Sequence, residues 1–277
     1  MLLKNISILL GRELKYIPST NIKILNEKFK RIQPNIHPSA KEESIDCEGL
    51  LLIPGFINAH THIGDSIAKD VTLNSSVDER IHPVFGAKPK ILKNTKPSHL
   101  SSFMKNACQS MISKGITTFV DFREGGLDGI LLLKKAVSSL PIRSIVLGRV
   151  EFYQNNNQIK KNEGFPQHKK SELDEILKKC DGLGISGANE NSNSTLKYYS
   201  QSKKLRAIHS SETKESVNIS KKNTKKSETI RALQLKPHFL VHMTHASKSD
   251  LHLAAKKTNG IVVCPRANAA LAEGIPD

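Results

Sequence analysis

Two histidines one residue apart, His60 and His62, close the run Pro54-Gly55-Phe56-Ile57-Asn58-Ala59-His60-Thr61-His62, directly after the apolar Leu51-Leu52-Ile53. On a strand, residues i and i+2 share a face. At the C-terminal end of a barrel strand that face looks into the mouth, where active sites of such barrels sit. Two imidazoles side by side there can hold one divalent metal, a Lewis acid for hydrolysis. The plain alternative is an ordinary pair of strand-end histidines; the Pro-Gly-x-x-Asn lead-in after an apolar strand argues against it.

Three more places repeat the theme. Leu205-Arg206-Ala207-Ile208-His209 ends an apolar run on a histidine, and Glu212 lies three residues on. Hydrolysis at a metal needs a group that moves protons to the leaving atom, and a carboxylate beside the ligands does this; the plain alternative is a surface Glu in a turn. Phe239-Leu240-Val241-His242 ends the next apolar run, so His242 is expected to face the mouth, with His245 beyond it in a loop. Cys264-Pro265-Arg266-Ala267-Asn268 follows a further strand and means little on its own. Arg123, after Phe119-Val120-Asp121-Phe122, is a candidate contact to an anionic substrate, against a salt bridge to Glu124 or Asp121. Asp65, just after the histidine pair, is a weaker mouth candidate.

The elements that must position these residues read as strands at 51–58, 117–121, 142–150, 182–186, 205–209, 239–242 and 260–264. Helices are expected at 98–114, 126–139, 170–179, 195–202, 227–233 and 249–257. Alternation of buried strands with helices is the pattern of a parallel α/β fold. Seven strands fall one short of a closed (β/α)8 barrel. Before them, 6–10, 21–25 and 44–47 are short strand-like pieces between polar turns, a small β unit. The predicted division is 1–50 for part of a small β domain and 51–277 for an incomplete barrel. The Asn-rich pieces 154–161 and 189–194 are expected to be exposed connections. The piece 64–97, with Pro83, Pro89 and Pro97, reads as a long ordered loop over the site.

Composition narrows the function. The chain has 277 residues and a formal net charge of +16. Its lysines are spread along the chain, and the densest basic run, 214–226, has no aromatic residue to stack a base, so no nucleic-acid partner is expected. Cys47, Cys108, Cys180 and Cys264 are scattered, as in reduced cytoplasmic proteins. The first ten residues are too interrupted for a signal peptide, and no apolar stretch reaches a membrane span. A cytoplasmic enzyme with a small-molecule substrate is expected; a homo-oligomer is left open.

Taken in order, these motifs resemble the amidohydrolase superfamily, in its cytosine-deaminase, chlorohydrolase and nucleoside-deaminase-like branch. Pro54-Gly55…Asn58…His60…His62 is similar to the family's strand-one motif, His209…Glu212 to strand five, and His242 to strand six. Cys264-Pro265…Asn268 resembles the family's Cys-Pro-x-Ser-Asn turn with Ala267 in place of Ser, and Gly274-Ile275-Pro276 resembles the Gly-Ile-Pro that follows. The resemblance implies a TIM-like (β/α)8 metal-dependent hydrolase barrel joined to a composite β domain. It implies metal ligation by His60, His62 and His209, proton transfer by Glu212, and orientation of water or substrate by His242. The family's strand-eight Gly-Thr-Asp ligand is expected beyond Asp277, so this chain is expected to be inactive by itself. Strand four, Gly184-Ile185-Ser186-Gly187-Ala188-Asn189-Glu190, lacks the substrate-binding His of nucleoside deaminases, which counts against adenosine-type substrates. It also lacks a Lys to bridge two metals, so one divalent ion is expected, zinc or alternatively iron. Asn189 and Glu190 are read as substrate contacts. The implied activity is hydrolysis of a non-peptide C–N bond, chiefly deamination of a nitrogen heterocycle. The alternatives are cyclic amide or amidine hydrolysis in the same site, or a catalytically inactive barrel.

Overall fold

The computed structural model describes residues 1–69, 71 and 75–276. The chain forms two compact units, Met1–Phe56 and Ile57–Asp277. In the first, β1 (Leu2–Leu10), β2 (Lys15–Leu25), β3 (Lys28–Gln33), β4 (Ser44–Asp46) and β5 (Leu51–Leu52) form one sheet in the order β3-β2-β1-β4, with β5 also on β1. Its core is Ile6, Ile8, Ile22 and Cys47. The sequence predicts one strand over 51–58; the structure divides it, because Leu51–Leu52 pairs with Ser7 and Ile8 of β1. Pro54 and Gly55 interrupt the ladder, since proline has no N–H to give it.

The second unit carries β6 (Phe56–Thr61), β7 (Ile116–Arg123), β8 (Arg143–Gly148), β9 (Gly182–Ile185), β10 (Leu205–Ser210), β11 (Phe239–His242) and β12 (Gly260–Val262). They form a seven-stranded parallel sheet in chain order, β6 to β12. This is the expected (β/α) barrel, incomplete: among the described residues no strand joins β12 to β6. The two-residue period sorts each strand. Val120, Phe122, Leu147, Ala207 and Val241 pack together in one cluster, and Phe119, Val146, Ile208 and Leu240 pack with the helices in another.

Each predicted helix is present: Pro97–Ile112, Gly126–Val137, Lys170–Lys179, Asn193–Tyr199, Glu228–Ala232 and Lys248–Lys257. Among the described residues five α-helices lie where none is predicted: Val77–Ile81, Ala87–Asn94, Asn156–Lys160, Lys214–Thr224 and Pro265–Leu271. Lys214–Thr224 is the basic run. Its Ser and Asn residues compete for backbone hydrogen bonds and mask helical periodicity, while Thr213 caps its start by accepting from the Ser216 N–H.

The connection 189–194 is not exposed as expected, and neither is Gln154. Asn191 and Ser192 are 2% and 0% exposed, because hydrogen bonds replace the water they lose. Gln154 accepts from the Ser192 N–H at 2.7 Å and donates to the Glu163 carbonyl at 2.9 Å. Arg231, 1% exposed, donates to the carbonyls of Ala188 and Asn191, both at 2.6 Å. It also reaches the side-chain oxygens of Asn189 and Asn193 at 3.3 Å each. Removing a donor from a buried acceptor costs about 1–3 kcal/mol per orphaned group. Arg231→Ala should therefore lower the unfolding free energy by at least about 3 kcal/mol in urea titration. A loss under about 1 kcal/mol would show that this loop is not held by Arg231.

Candidate active site

β6 delivers His60 and, just past its end, His62. Its end is pinned by Asp121 of β7. The Thr61 hydroxyl donates to the Val120 carbonyl at 3.0 Å and to Asp121 Oδ1 at 2.9 Å, and the Ile63 N–H donates to the same oxygen at 2.6 Å. β10 delivers His209. The Nε2 atoms of His62 and His209 lie 3.1 Å apart, and those of His209 and His60 3.2 Å apart. The ring of Phe122 lies beside all three imidazoles, with centroids 4.6, 5.8 and 4.9 Å from His60, His62 and His209. A Cβ on Gly184 would come within 2.8 Å of that ring, so the glycine leaves Phe122 its place.

The proton positions follow from the partners. His209 Nδ1 lies 3.1 Å from the Ile185 carbonyl, and His62 Nδ1 lies 2.6 Å from Glu124 Oε1. A carbonyl only accepts, so His209 Nδ1 carries its ring proton. His62 Nδ1 meets both the Glu124 carboxylate at 2.6 Å and the Lys88 ammonium at 3.2 Å, and the much shorter contact, to a group that only accepts, places the ring proton there too. In the neutral rings both Nε2 atoms are then lone pairs, facing each other with no proton between them. Burial holds all three histidines well below the ordinary imidazole value, so the neutral form is the relevant one. Such an arrangement calls for a cation. Nitrogens about 2.0–2.1 Å from one tetrahedral ion sit about 3.3–3.4 Å apart, close to the spacing found. The three residues therefore fit a divalent metal.

His242 arrives differently. Val241 pairs with His209 across the ladder and packs among Val120 and Phe122, so strict alternation would send His242 the other way. Its backbone is left-handed, φ +71°, and Met243 follows at φ +57°. The ring stacks on His209 at 5.4 Å between centroids. Its Nε2 lies 3.3 Å from Glu212 Oε1 and its Nδ1 3.4 Å from Asn268 Oδ1. Asn268 in turn donates to the Thr244 hydroxyl at 3.0 Å.

His60, His62, His209, Glu212 and His242 line one cavity of about 1510 Å3, together with Asn189, Glu190, Arg123, Lys88, Arg149 and Cys264. Asn189 is engaged by Ser216 and Arg231, and Glu190 accepts from the Ser186 hydroxyl at 3.2 Å. Arg123 is buried and pairs with Glu124 at 2.8 Å and Asp121 at 3.6 Å. His245 bonds the Glu273 carbonyl instead of facing the histidines. Asp65 pairs with Lys88 at 2.8 Å, and its burial pushes the carboxyl up to about 6. Glu124, Lys88 and Asn268 were given no role by sequence. Lys88 lies in a segment without periodicity, Glu124 reads as a partner for Arg123, and Asn268 stands out only through the turn it shares with Cys264.

The model of the amidohydrolase family matches residues 51–277. The chain belongs to the amidohydrolase family. A putative aminohydrolase of Methanothermobacter thermautotrophicus is 34% identical over 282 residues, covering 100% of this chain and 71% of the relative. An uncharacterized protein of Methanocaldococcus jannaschii is 36% identical over 248 residues, 85% of this chain and 61% of the relative. A 5'-deoxyadenosine deaminase of Methanobrevibacter smithii is 26% identical over 188 residues, 66% of this chain and 39% of the relative. Among solved structures, a zinc complex of the atrazine chlorohydrolase of Arthrobacter aurescens superposes with TM-score 0.79 at 14% identity, over 99% of this chain and 68% of that one. These likenesses bear out the expected barrel and a metal-dependent amidohydrolase. The family acts on small molecules, and no helix among the described residues is long and apolar enough to cross a membrane.

The depressed histidines make the metal-free amidohydrolase acid-labile. His242 falls from 6.5 to about 4, chiefly by burial. Below about pH 6.5 the unfolded chain binds a proton that the fold refuses until near pH 4, so stability is full above that window and lost through it. For His242 alone the loss is about 3 kcal/mol, from 1.36 kcal/mol per pKa unit. The metal-free protein should show a urea midpoint falling steeply from pH 6.5 to 4, and His242→Gln should flatten part of the slope. A midpoint that stays level over this range would refute it.

Proposed function

We propose that this active site removes an amino group from a nitrogen heterocycle as ammonia. The observation that carries the proposal is the meeting of three imidazole Nε2 atoms at one point, beside the Glu212–His242 pair, inside one cavity. His60, His62 and His209 would hold a single divalent ion, zinc in preference to iron given three nitrogen donors. Such an ion, when bound, supplies Lewis acidity and lowers the pKa of water for attack on the ring carbon.

The chain's own groups do the rest. Asn268 Oδ1 takes the proton side of His242, leaving Nε2 as an acceptor toward Glu212. One proton can then sit between Nε2 and the carboxyl, ready for transfer from the attacking water to the departing nitrogen. Glu212 is the group that moves it, and His242 orients water or the substrate's ring. Asn189, Glu190 and Arg123 are proposed to contact substrate from the neighbouring wall. Of the three, Arg123 lies deepest, with Nη1 buried and facing Asp121 Oδ2 at 3.6 Å. The deaminase names of relatives favour ammonia release over ring opening of a cyclic amide or amidine. Strand four, without a histidine, favours rings other than adenosine.

The test uses the full-length protein with a panel of 5'-deoxyadenosine, 5-methylthioadenosine, guanine, cytosine and amino-triazines, read by ammonia release. On the substrate found, Glu212→Gln should keep the metal content and lose about 10²–10⁴-fold in kcat, the usual size of a proton-transfer contribution. His209→Ala should lose metal and turnover together. Normal turnover by Glu212→Gln would assign the proton to another group; loss of metal would make the carboxylate a ligand.

A further inference from the structure

Behind His62, on the side away from the converging nitrogens, one carboxylate gathers three cations. Glu124 Oε1 accepts from His62 Nδ1 at 2.6 Å, from Lys88 Nζ at 2.7 Å and from Arg149 Nη2 at 3.3 Å. Glu124 Oε2 accepts from Arg123 Nη2 at 2.8 Å. Arg123 ends β7, Arg149 directly follows β8, and Lys88 belongs to the helix Ala87–Asn94. Lys88 also reaches Asp65 Oδ2 at 2.8 Å. The carboxylate and its cations are largely buried. A buried charge in an ion pair needs good geometry and further hydrogen bonds to offset its lost hydration. Here both oxygens have them, from three different elements.

We infer that Glu124 is a positioning residue that fixes the Nδ1–H form of His62, so that Nε2 is always the nitrogen offered to the metal, and that Lys88 holds Glu124 in place for this task. The inference rests on His62 being a metal ligand, as proposed above. An imidazole with no partner shares its proton between the two nitrogens, and a proton on Nε2 excludes a metal from that atom. A carboxylate at 2.6 Å takes the Nδ1 proton as its hydrogen bond and removes that competition. It does so only if it cannot turn away. The bonds to Lys88, Arg123 and Arg149 make turning expensive, because each is charge-assisted. Lys88 is the unusual member. It comes from the segment after β6, and its ammonium meets Glu124 Oε1 at 2.7 Å and lies 3.2 Å from His62 Nδ1 itself.

The test is zinc affinity by chelator competition, together with a histidine 15N spectrum of the metal-free protein that reads which ring nitrogen carries the proton. Glu124→Ala should weaken zinc binding by about 10–100-fold, the usual effect of losing such a partner, and His62 should lose its Nδ1–H signature. Lys88→Met should weaken zinc binding by a smaller factor in the same direction. If Glu124→Ala does not fold, Glu124→Gln and Lys88→Met decide the matter by the same two readouts. A merely structural role would lower stability in urea and leave the tautomer signature unchanged. His62→Ala serves as the control. If it binds zinc like the wild type, the ligand assignment falls and this inference with it. If it loses zinc while the Glu124 and Lys88 variants stay within about two-fold of wild type and keep the Nδ1–H signature, the positioning role alone is overturned.

Discussion

Three imidazole Nε2 atoms meet at one point, and the lone pairs of His62 and His209, facing each other with no proton between them, repel until a cation joins them. Much of the barrel's mouth can be understood from that constraint. Each ring must be held from behind, because nothing in front of it attracts it. Ile185 does this for His209 and Glu124 for His62, each by taking the Nδ1 proton. Phe122 supplies an apolar floor, and the glycine at 184 lets that floor sit where it does. Burial then keeps the rings neutral, the form that ligates. His60 has no such anchor, and its Nδ1 is buried without a hydrogen-bond partner. Its ring is fixed by packing against Phe122 and the other histidines.

What the sequence made legible was whatever obeys the rule of strands. His60, His62 and His209 are readable because each ends or directly follows an apolar run, and the barrel's geometry carries such ends to one mouth. The seven barrel strands and the major helices were readable for the same reason, through their periods of two and of about 3.6 residues. What was not legible depends on contacts between segments distant in the chain. Lys88 meets His62 and Glu124 from a segment whose prolines hide a helix. The loop 189–194 looks solvated by composition, yet its Asn191 and Ser192 are buried, and Arg231, about forty residues on, donates to the carbonyls of Ala188 and Asn191. Glu124 and Arg123 are adjacent, and adjacency suggests a private salt bridge; the fold makes Glu124 the shared partner of four donors.

His242 shows where a correct expectation had an incomplete reason. Ending an apolar run does not by itself turn a residue inward, since Val241 already occupies the inward position opposite His209. The left-handed backbone at His242 and Met243 turns the ring into the cavity. Such a conformation costs about 1–3 kcal/mol at a residue with a side chain, and it persists only where surrounding contacts over-determine it. Those contacts are visible: Asn268 on Nδ1, Glu212 on Nε2, and His209 stacked on the ring. Asn268 belongs to the Cys-Pro turn that looked uninformative alone, and its amide is steadied by Thr244 two residues past His242. The turn after β12 therefore acts on the same residue as the kink after β11. Strain located at a residue whose ring touches both a candidate ligand and the candidate proton carrier has a functional explanation that packing does not supply, because a residue chosen only to fill that space would follow the strand and need no kink.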